Sequence, residues 1–152
     1  MKISIREMKF EDLDDIMEIE HSSFSAPWSR ESFESELLNR MALYTCLEYD
    51  DKVVAYVGLW KIYDEGHITN VAVLPSYRGL GLSKLLLNNL FEICKNNGIV
   101  RLTLEVRESN LVALNLYQHI GFISSGRRPR YYSNPIEDAI IMWKELNGNE
   151  KL

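Results

Sequence analysis

Three polar residues in the second half of the chain have types and spacing that could support acid–base chemistry. Glu105 lies in RLTLEV, where apolar and polar residues alternate, so a strand would direct its carboxylate away from the leucines on either side of Thr103. Asn110 and Tyr117 are seven residues apart, which predicts that both project from one face of the next helix. A carboxylate can accept a proton, and a phenol, with an ordinary pKa of about 10, can donate one.

The same three residues also have purely structural interpretations. Glu105 could form a salt bridge with Arg101 or Arg107 on its own strand. Tyr117 could pack as a core aromatic residue, and Asn110 could simply stand at the start of the helix. Without further information, the salt bridge is the favoured interpretation for Glu105.

A loop with the sequence YRGLGLSKLL, residues 77–86, joins a predicted strand to a leucine-rich helix. It is not a Walker loop, because the chain contains no GxxxxGK string followed by Ser or Thr. A dinucleotide fingerprint fits better, with Glu105 about 20 residues on, but Lys84 replaces the third glycine and antiparallel strands precede the loop. The glycines could also serve backbone geometry alone.

The composition predicts one globular domain over residues 1–146, followed by a polar tail over 147–152. The chain is 46% hydrophobic and 26% charged over 152 residues, as expected for a soluble protein. Its net charge of −5, without a basic stripe, argues against direct binding of nucleic acid. It has no signal-peptide core and no apolar stretch near the roughly 18 residues of a membrane span, so we expect no membrane association and a cytoplasmic location.

The cysteine and histidine residues predict neither a disulfide framework nor a metal site. Cys46 and Cys94 are far apart and have no CxxC partner, so both are interpreted as buried thiols. His21, His67 and His119 do not share a ligand-like spacing. His67 lies on a predicted strand near the catalytic candidates, although a surface imidazole is the simpler interpretation.

The patterning predicts an α+β (mixed α/β) fold with about four helices on both faces of a sheet of six to seven strands. A strand, two helices and three antiparallel strands come first, with Ser29 as the N-cap of the second helix and turns at Asp50-Asp51 and Asp64-Glu65-Gly66. A helix over Leu82–Asn97 then separates two strands, which should be parallel neighbours. Its predicted buried face comprises Leu82, Leu85, Leu86, Leu90, Ile93 and Cys94.

Residues 78–83, RGLGLS, resemble the R/Q-x-x-G-x-G/A motif of the GCN5-related N-acetyltransferase (GNAT) superfamily, with Ser83 where the motif has Gly or Ala. The segments FSAPWS at 24–29, LEVRESNLVALNLYQHIGF at 104–122 and RRPRYYSNPIEDAIIM at 127–142 are similar to its ribosomal-protein-alanine N-acetyltransferase, or RimI-type, branch. These matches occur in the expected order over nearly the whole chain.

The resemblance implies acetyl-CoA as co-substrate, no metal, and roles for specific residues. Backbone N–H groups of the loop would hold the pyrophosphate. Glu105 would act as a general base, directly or through water, and Tyr117 would protonate the departing thiolate. The implied cofactor-binding residues are Val71, Ala72, Val73, Arg78, Gly79, Leu80, Gly81, Leu82, Ser83, Lys84, Asn110 and Tyr117.

The implied reaction is direct acetyl transfer, in a ternary complex, to the N-terminal alanine of a ribosomal protein. The alternatives are a GNAT enzyme that acts on a small amine or a lysine side chain, and a non-catalytic CoA-binding or interaction module. We expect a monomer or weak dimer. Trp28 and the Tyr131-Tyr132 pair either shape a peptide groove or pack between loops.

Overall fold

The computed structural model describes residues 1–146, so the predicted tail over 147–152 lies outside the described residues. Short 3₁₀ helices cover Phe10–Asp12 and Pro75–Tyr77. The remaining elements are β1 (Ile3–Glu7), α1 (Leu13–Ser23), α2 (Arg30–Leu37), β2 (Ala42–Tyr49), β3 (Lys52–Ile62), β4 (Glu65–Val73), α3 (Leu82–Asn96), β5 (Arg101–Arg107), α4 (Leu111–His119), β6 (Ile123–Tyr132) and β7 (Glu137–Glu145).

The strands form one mixed sheet in the order β1-β2-β3-β4-β5-β7-β6. Neighbouring strands are antiparallel except for β4 and β5, which are parallel because α3 connects them. The predicted fold class is therefore confirmed. The Asp50-Asp51 turn is also present, with both residues at positive φ, whereas the next turn falls at Tyr63-Asp64, and Glu65 and Gly66 already belong to β4.

Local sequence explains where the helices begin and which faces they bury. The hydroxyl of Ser29 accepts a hydrogen bond from the backbone N–H of Ser32 at 3.1 Å, which confirms the predicted N-cap of α2. In α3 the buried residues are Leu82, Leu86, Leu87, Leu90, Phe91 and Cys94.

The predicted buried face of α3 was partly wrong. Leu85 is 43% exposed and Ile93 is half-buried, whereas the unpredicted Leu87 and Phe91 are buried. At about 100° per residue, Leu85 lies roughly 60° beyond Leu82, outside the stripe that packs on the sheet. On the side away from Leu85, the buried stripe of α3 is wide because the helix contacts three strands, β2, β3 and β4.

The parallel pair separates after three residues. Glu65, Gly66 and His67 of β4 pair with Arg101–Thr103 of β5, and beyond them the two strands continue without pairing. Residues 68–73 of β4, apart from Thr69, remain paired with β3 on their other side. The sheet therefore opens into a gap between the C-terminal parts of β4 and β5, which we call the β4–β5 gap.

A β-bulge lies beside this gap. Register changes between Gly58 and Leu59 of β3, so that Thr69 is an extra residue on β4. The Thr69 hydroxyl lies 3.2 Å from the hydroxyl of Tyr44, and the neighbouring Asn70 is buried. Ring contacts of Tyr44 and Tyr56 with Phe33 place these tyrosines under α2. In the part of the chain that is described, no helix is both long and apolar enough to cross a membrane.

Candidate active site

The glycines of the loop before α3 are required by backbone conformation. Gly79 and Gly81 have φ of 82° and 79°, in the left-handed region that favours glycine. A Cβ atom at either position would meet no other atom within 4 Å, so lack of space is not the reason. Gly81 is the N-cap of α3 and turns the chain into that helix.

This conformation leaves a row of backbone donors without internal partners. Among the described residues, none accepts a hydrogen bond from the backbone N–H groups of residues 79 to 84. The last three belong to the first turn of the 15-residue helix α3, where the helix dipole adds positive potential. The row can bind an anion such as a pyrophosphate through the backbone.

Side chains of the loop have different surroundings. Leu82 is buried in the core, so only its backbone faces the loop, whereas Leu80 is 54% exposed and Lys84 is also exposed. The Arg78 guanidinium donates to the carbonyl oxygen of Val73 at 2.9 Å and to the hydroxyl of Ser23 at 3.1 Å. Arg78 therefore fixes the loop to β4 and α1, and a contact with cofactor remains a prediction.

The residues predicted to line the pantetheine arm lie on the part of β4 that borders the β4–β5 gap. Val71 is half-buried, and Ala72 and Val73 are buried. All three pair with β3, and β5 does not pair with them on the other side. The structure therefore brings these residues to the gap, close in sequence to the loop with the unpaired N–H groups.

Glu105 does not form either of the salt bridges considered from the sequence. Arg101 and Arg107 pair with other glutamates. Instead, one carboxylate oxygen of Glu105 lies 2.8 Å from Nε2 of His67, and the other lies 3.4 Å from Nε of Arg128. The parallel register explains the first contact, because His67 pairs with Thr103 and Glu105 follows two residues later on the same face.

These partners keep Glu105 ionised. The hydrogen bond with His67 is the largest influence and lowers the pKa of the carboxyl, with Arg128 acting in the same direction and partial burial opposing it. Only 9% of the Glu105 side chain is exposed. A carboxylate stabilised in this way accepts hydrogen bonds and attracts cations well, but it is a weak base toward an ammonium group.

Tyr117 lies on the other side of the sheet. Its ring contacts Phe122 at 5.6 Å between centroids, and Phe122 in turn contacts Phe91 of α3 at 6.2 Å. Burial raises the pKa of Tyr117 to about 12, so the phenol stays protonated at neutral pH. Its hydroxyl makes no hydrogen bond within residues 1–146, and its role as a proton donor remains a prediction.

Asn110 stands just before α4, which begins at Leu111. Its side-chain oxygen accepts a hydrogen bond from the backbone N–H of Ala113 at 3.2 Å, as a helix N-cap does. The structural interpretation of Asn110 is therefore confirmed. Asn110 is thus the N-cap of the helix that carries Tyr117, and a shared face with Tyr117 and a contact with cofactor remain predictions.

Two loops meet on the face of the sheet that carries Glu105. The hydroxyl of Ser25, between α1 and α2, donates to the carbonyl oxygen of Asn134 in the β6–β7 turn at 3.0 Å. Trp28 packs on Phe33 at 5.4 Å. Its indole therefore packs against α2, and a role in shaping a peptide groove remains a prediction.

The two adjacent tyrosines of β6 face the same site. Tyr131 is 50% exposed, and the Tyr132 ring lies 4.5 Å from the Arg107 guanidinium carbon. Burial raises the pKa of both phenols, and the negative charge of Glu105 raises each further. The tyrosines thus lie within the field of Glu105, where they can shape a substrate groove.

Arg128 was not identified from the sequence, because no local pattern relates β6 to β5 when β7 lies between them. His67 was noted in the sequence, but its contact with Glu105 depends on the register of β4 and β5 and could not be predicted from the sequence. Among residues 1–146, no group of three or more His, Cys, Asp or Glu side chains is arranged to hold a metal ion.

The fold and this site define an acetyltransferase. Residues 13–122 match the model of the acetyltransferase (GNAT) family, which is more than two thirds of the chain. The chain belongs to the GNAT family.

Within the family, its relatives point to one branch. A Salmonella typhimurium protein named [ribosomal protein bS18]-alanine N-acetyltransferase is 36% identical over 133 residues, covering 86% of this chain and 89% of the relative. A Bacillus subtilis protein, whose name assigns it the same activity provisionally, is 44% identical over 147 residues, covering 96% and 97%.

Comparison with solved structures points to the same branch of the family. The ribosomal-protein-S18-alanine N-acetyltransferase of Escherichia coli superposes with a TM-score of 0.89 at 32% identity, over 99% of both chains. A PaiA N-acetyltransferase from Thermoplasma acidophilum, solved in complex with coenzyme A, has a TM-score of 0.77 at 22% identity, over 95% of this chain and 99% of that one. The latter likeness supports the fold.

Proposed function

We propose that the protein transfers an acetyl group from acetyl-CoA to the α-amine of the N-terminal alanine of a ribosomal protein. One observation carries the chemistry: the Glu105 carboxylate, whose pKa is lowered by His67, lies two residues beyond the last β4–β5 pair, and β4 leads from that point to a loop whose backbone N–H groups at residues 79–84 have no partner within residues 1–146. The names of the Salmonella, Bacillus and Escherichia relatives support the ribosomal substrate. Such a substrate would place the reaction in the cytoplasm.

The loop and β4 are suited to hold acetyl-CoA. The N–H groups of residues 79–84 would bind the pyrophosphate, and Val71–Val73 would contact the pantetheine arm where β4 lacks a second neighbour. Acetyl-CoA supplies a thioester carbonyl that an amine can attack. Backbone N–H groups of β4 at the gap would polarise that carbonyl.

Glu105 and Tyr117 act from opposite faces of the sheet. Glu105 assists loss of a proton from the α-ammonium group, whose ordinary pKa is about 8. Tyr117 supplies a proton to the departing thiolate, because its phenol remains protonated over the whole physiological range. The Ser25–Asn134 contact and the exposed ring of Tyr131 are placed to border the peptide.

The cysteines favour direct transfer over an acetyl-cysteine intermediate. Both Cys46 and Cys94 are buried, and burial raises the pKa of each thiol to about 12. A thiol in that state is a poor nucleophile at neutral pH. Acetyl-CoA and the peptide should therefore bind together in a ternary complex.

The test is incubation of the protein with acetyl-CoA and two peptides, followed by mass spectrometry. The first peptide copies the alanine-initiated N-terminus of a bacterial bS18 protein, and the second has the same sequence with a blocked N-terminus and a free lysine. Acetylation of the first peptide alone is expected, with intersecting double-reciprocal plots. Labelling of the blocked peptide alone would overturn the N-terminal assignment, and parallel plots would overturn direct transfer.

A further inference from the structure

The contact between His67 and Glu105 determines which nitrogen of the imidazole can accept a proton. Nε2 of His67 lies 2.8 Å from a carboxylate oxygen of Glu105. An ionised carboxylate can only accept a hydrogen bond, so Nε2 carries the proton. In the neutral imidazole, Nδ1 then has the free lone pair.

Nδ1 is free to use that lone pair on a substrate. Among the described residues, His67 makes no hydrogen bond through Nδ1, and 29% of its side chain is exposed. The strand β4 holds the ring at the position where the parallel pairing with β5 ends. The imidazole is therefore at the edge of the β4–β5 gap and reachable from solvent.

The groups around His67 can stabilise a positive charge on the ring. Glu105 faces it from β5, and Arg128 from β6 reaches only the far oxygen of that carboxylate. On the β3 side, the Trp60 ring meets the imidazole edge-on at 6.2 Å, and its indole N–H donates to the carboxylate of Glu36 from α2. Tyr131 and Tyr132 of β6 lie within the field of Glu105.

We propose that Nδ1 of His67, rather than Glu105, takes the proton from the substrate's α-ammonium group, directly or through one water. Glu105 is then a positioning residue that fixes the tautomer of the ring and stabilises its charged form, as a carboxylate does beside other catalytic histidines. The inference rests on the proposed function and changes the role predicted for Glu105.

The proton balance of the step is complete. The ammonium loses one proton to Nδ1, and the resulting amine attacks the thioester carbonyl carbon, so that a C–N bond forms and the C–S bond breaks. Tyr117 gives its proton to the CoA thiolate. The phenol is restored by the second proton that the substrate nitrogen loses. The imidazolium finally releases its proton to solvent, which yields the amide, the CoA thiol and one proton.

The kinetic test compares His67→Gln with wild type and with His119→Gln, an exposed histidine on α4. His67→Gln should be about 10²-fold less active than wild type at pH 7 in kcat/KM for the alanine peptide. Because the peptide amine loses its own proton at higher pH, this deficit should shrink above the ordinary amine pKa of about 8. His119→Gln should behave as wild type.

A second measurement does not depend on turnover. In protein labelled with ¹⁵N in its three histidines, His67→Gln identifies the His67 signals. They should show a protonated Nε2 and an unprotonated Nδ1 in the neutral ring. The opposite tautomer would overturn the proposal.

The outcomes separate this inference from the proposed function. If wild type acetylates the alanine peptide and a folded His67→Gln protein does so at the same rate and with the same pH profile, the role of His67 is overturned and the function stands. If His67→Ala recovers activity with added imidazole, the role is supported directly. If wild type acetylates no N-terminus, the proposed function fails, whatever the tautomer.

Discussion

Ser25 and Asn134, 109 residues apart in sequence, are joined by a hydrogen bond of 3.0 Å from the serine hydroxyl to the asparagine carbonyl oxygen. The contact connects the α1–α2 loop with the β6–β7 turn on the face that carries Glu105. Ser25→Ala removes it and should raise KM for the peptide about threefold, since an exposed hydrogen bond contributes about 1 kcal/mol or less. Steady-state kinetics with varied peptide test this, and an unchanged KM would show that the contact does not shape the groove.

Replacing Glu105 by Gln should lower kcat about 10²-fold without weakening cofactor binding. The amide keeps the size of the side chain but removes the negative charge that stabilises a protonated His67. Turnover is measured by release of the CoA thiol, and binding of CoA by calorimetry. Normal turnover would remove Glu105 from the site, and a large loss of CoA affinity would mean that the variant has disturbed the cofactor site.

Tyr117→Phe should also lower kcat, by 10²-fold or about that, because the hydroxyl that protonates the thiolate is lost. The ring should keep its contact with Phe122, and the hydroxyl makes no hydrogen bond within the described residues, so the free energy of unfolding should change by less than about 1 kcal/mol. Urea unfolding and single-turnover kinetics separate the two effects. A stable variant with wild-type turnover would assign the proton transfer to another donor.

Gly81→Ala should weaken CoA binding more than it weakens the fold. The φ of 79° costs an L-residue about 1 kcal/mol. If the backbone relaxed to relieve that strain, the N–H groups at the start of α3 would no longer point toward a common anion. Gly126→Ala is the matched control: its Cβ also meets no atom within 4 Å, but its φ is not positive. Equal CoA affinities of the two variants would contradict a backbone cradle.

Asp12→Asn should destabilise the protein by about 2 kcal/mol at pH 7, because both carboxylate oxygens of Asp12 accept from Arg6 at 2.8 Å and only 10% of the Asp12 side chain is exposed. The control Asp14→Asn should cost less than about 0.5 kcal/mol, since that side chain is 90% exposed. Chemical unfolding measures both values. A similar loss of stability in the two variants would show that the burial of Asp12 does not strengthen its ion pair.

The same pair predicts an acid dependence of stability. The hydrogen bonds from Arg6 lower the pKa of Asp12 in the folded state below its unfolded value of about 3.9. Its stabilisation is therefore present above pH 4 and is lost as the pH falls through the lower, folded pKa. Unfolding of Asp12→Asn should depend less on pH in this range than unfolding of wild type.

Much of the fold could be predicted because local patterns determine it. The alternation of β5 placed Glu105 and Thr103 on one face, and the helix between two apolar strands required a parallel pair. The error at Leu85 arose because a helical repeat does not show where the edge of a buried stripe lies. That edge depends on how α3 is rotated against the sheet.

The electrostatics of the site could not be predicted in the same way. The partners of Glu105 come from β4 and β6, and their contacts depend on strand order and register. The arginines of β5 itself, which sequence proximity favoured, are engaged by glutamates elsewhere. Distant pairing therefore decides which side chains contact the Glu105 carboxylate.

The short parallel pairing of β4 with β5 has a mechanical consequence. Only three residue pairs join the β1–β4 half of the sheet to the β5–β7 half along this line. A ligand that contacts β4, the start of α3 and the neighbourhood of Tyr117 would act as a clamp between the halves. Acetyl-CoA would then protect the amide hydrogens beside the junction from exchange with solvent far more than those of the outer hairpins.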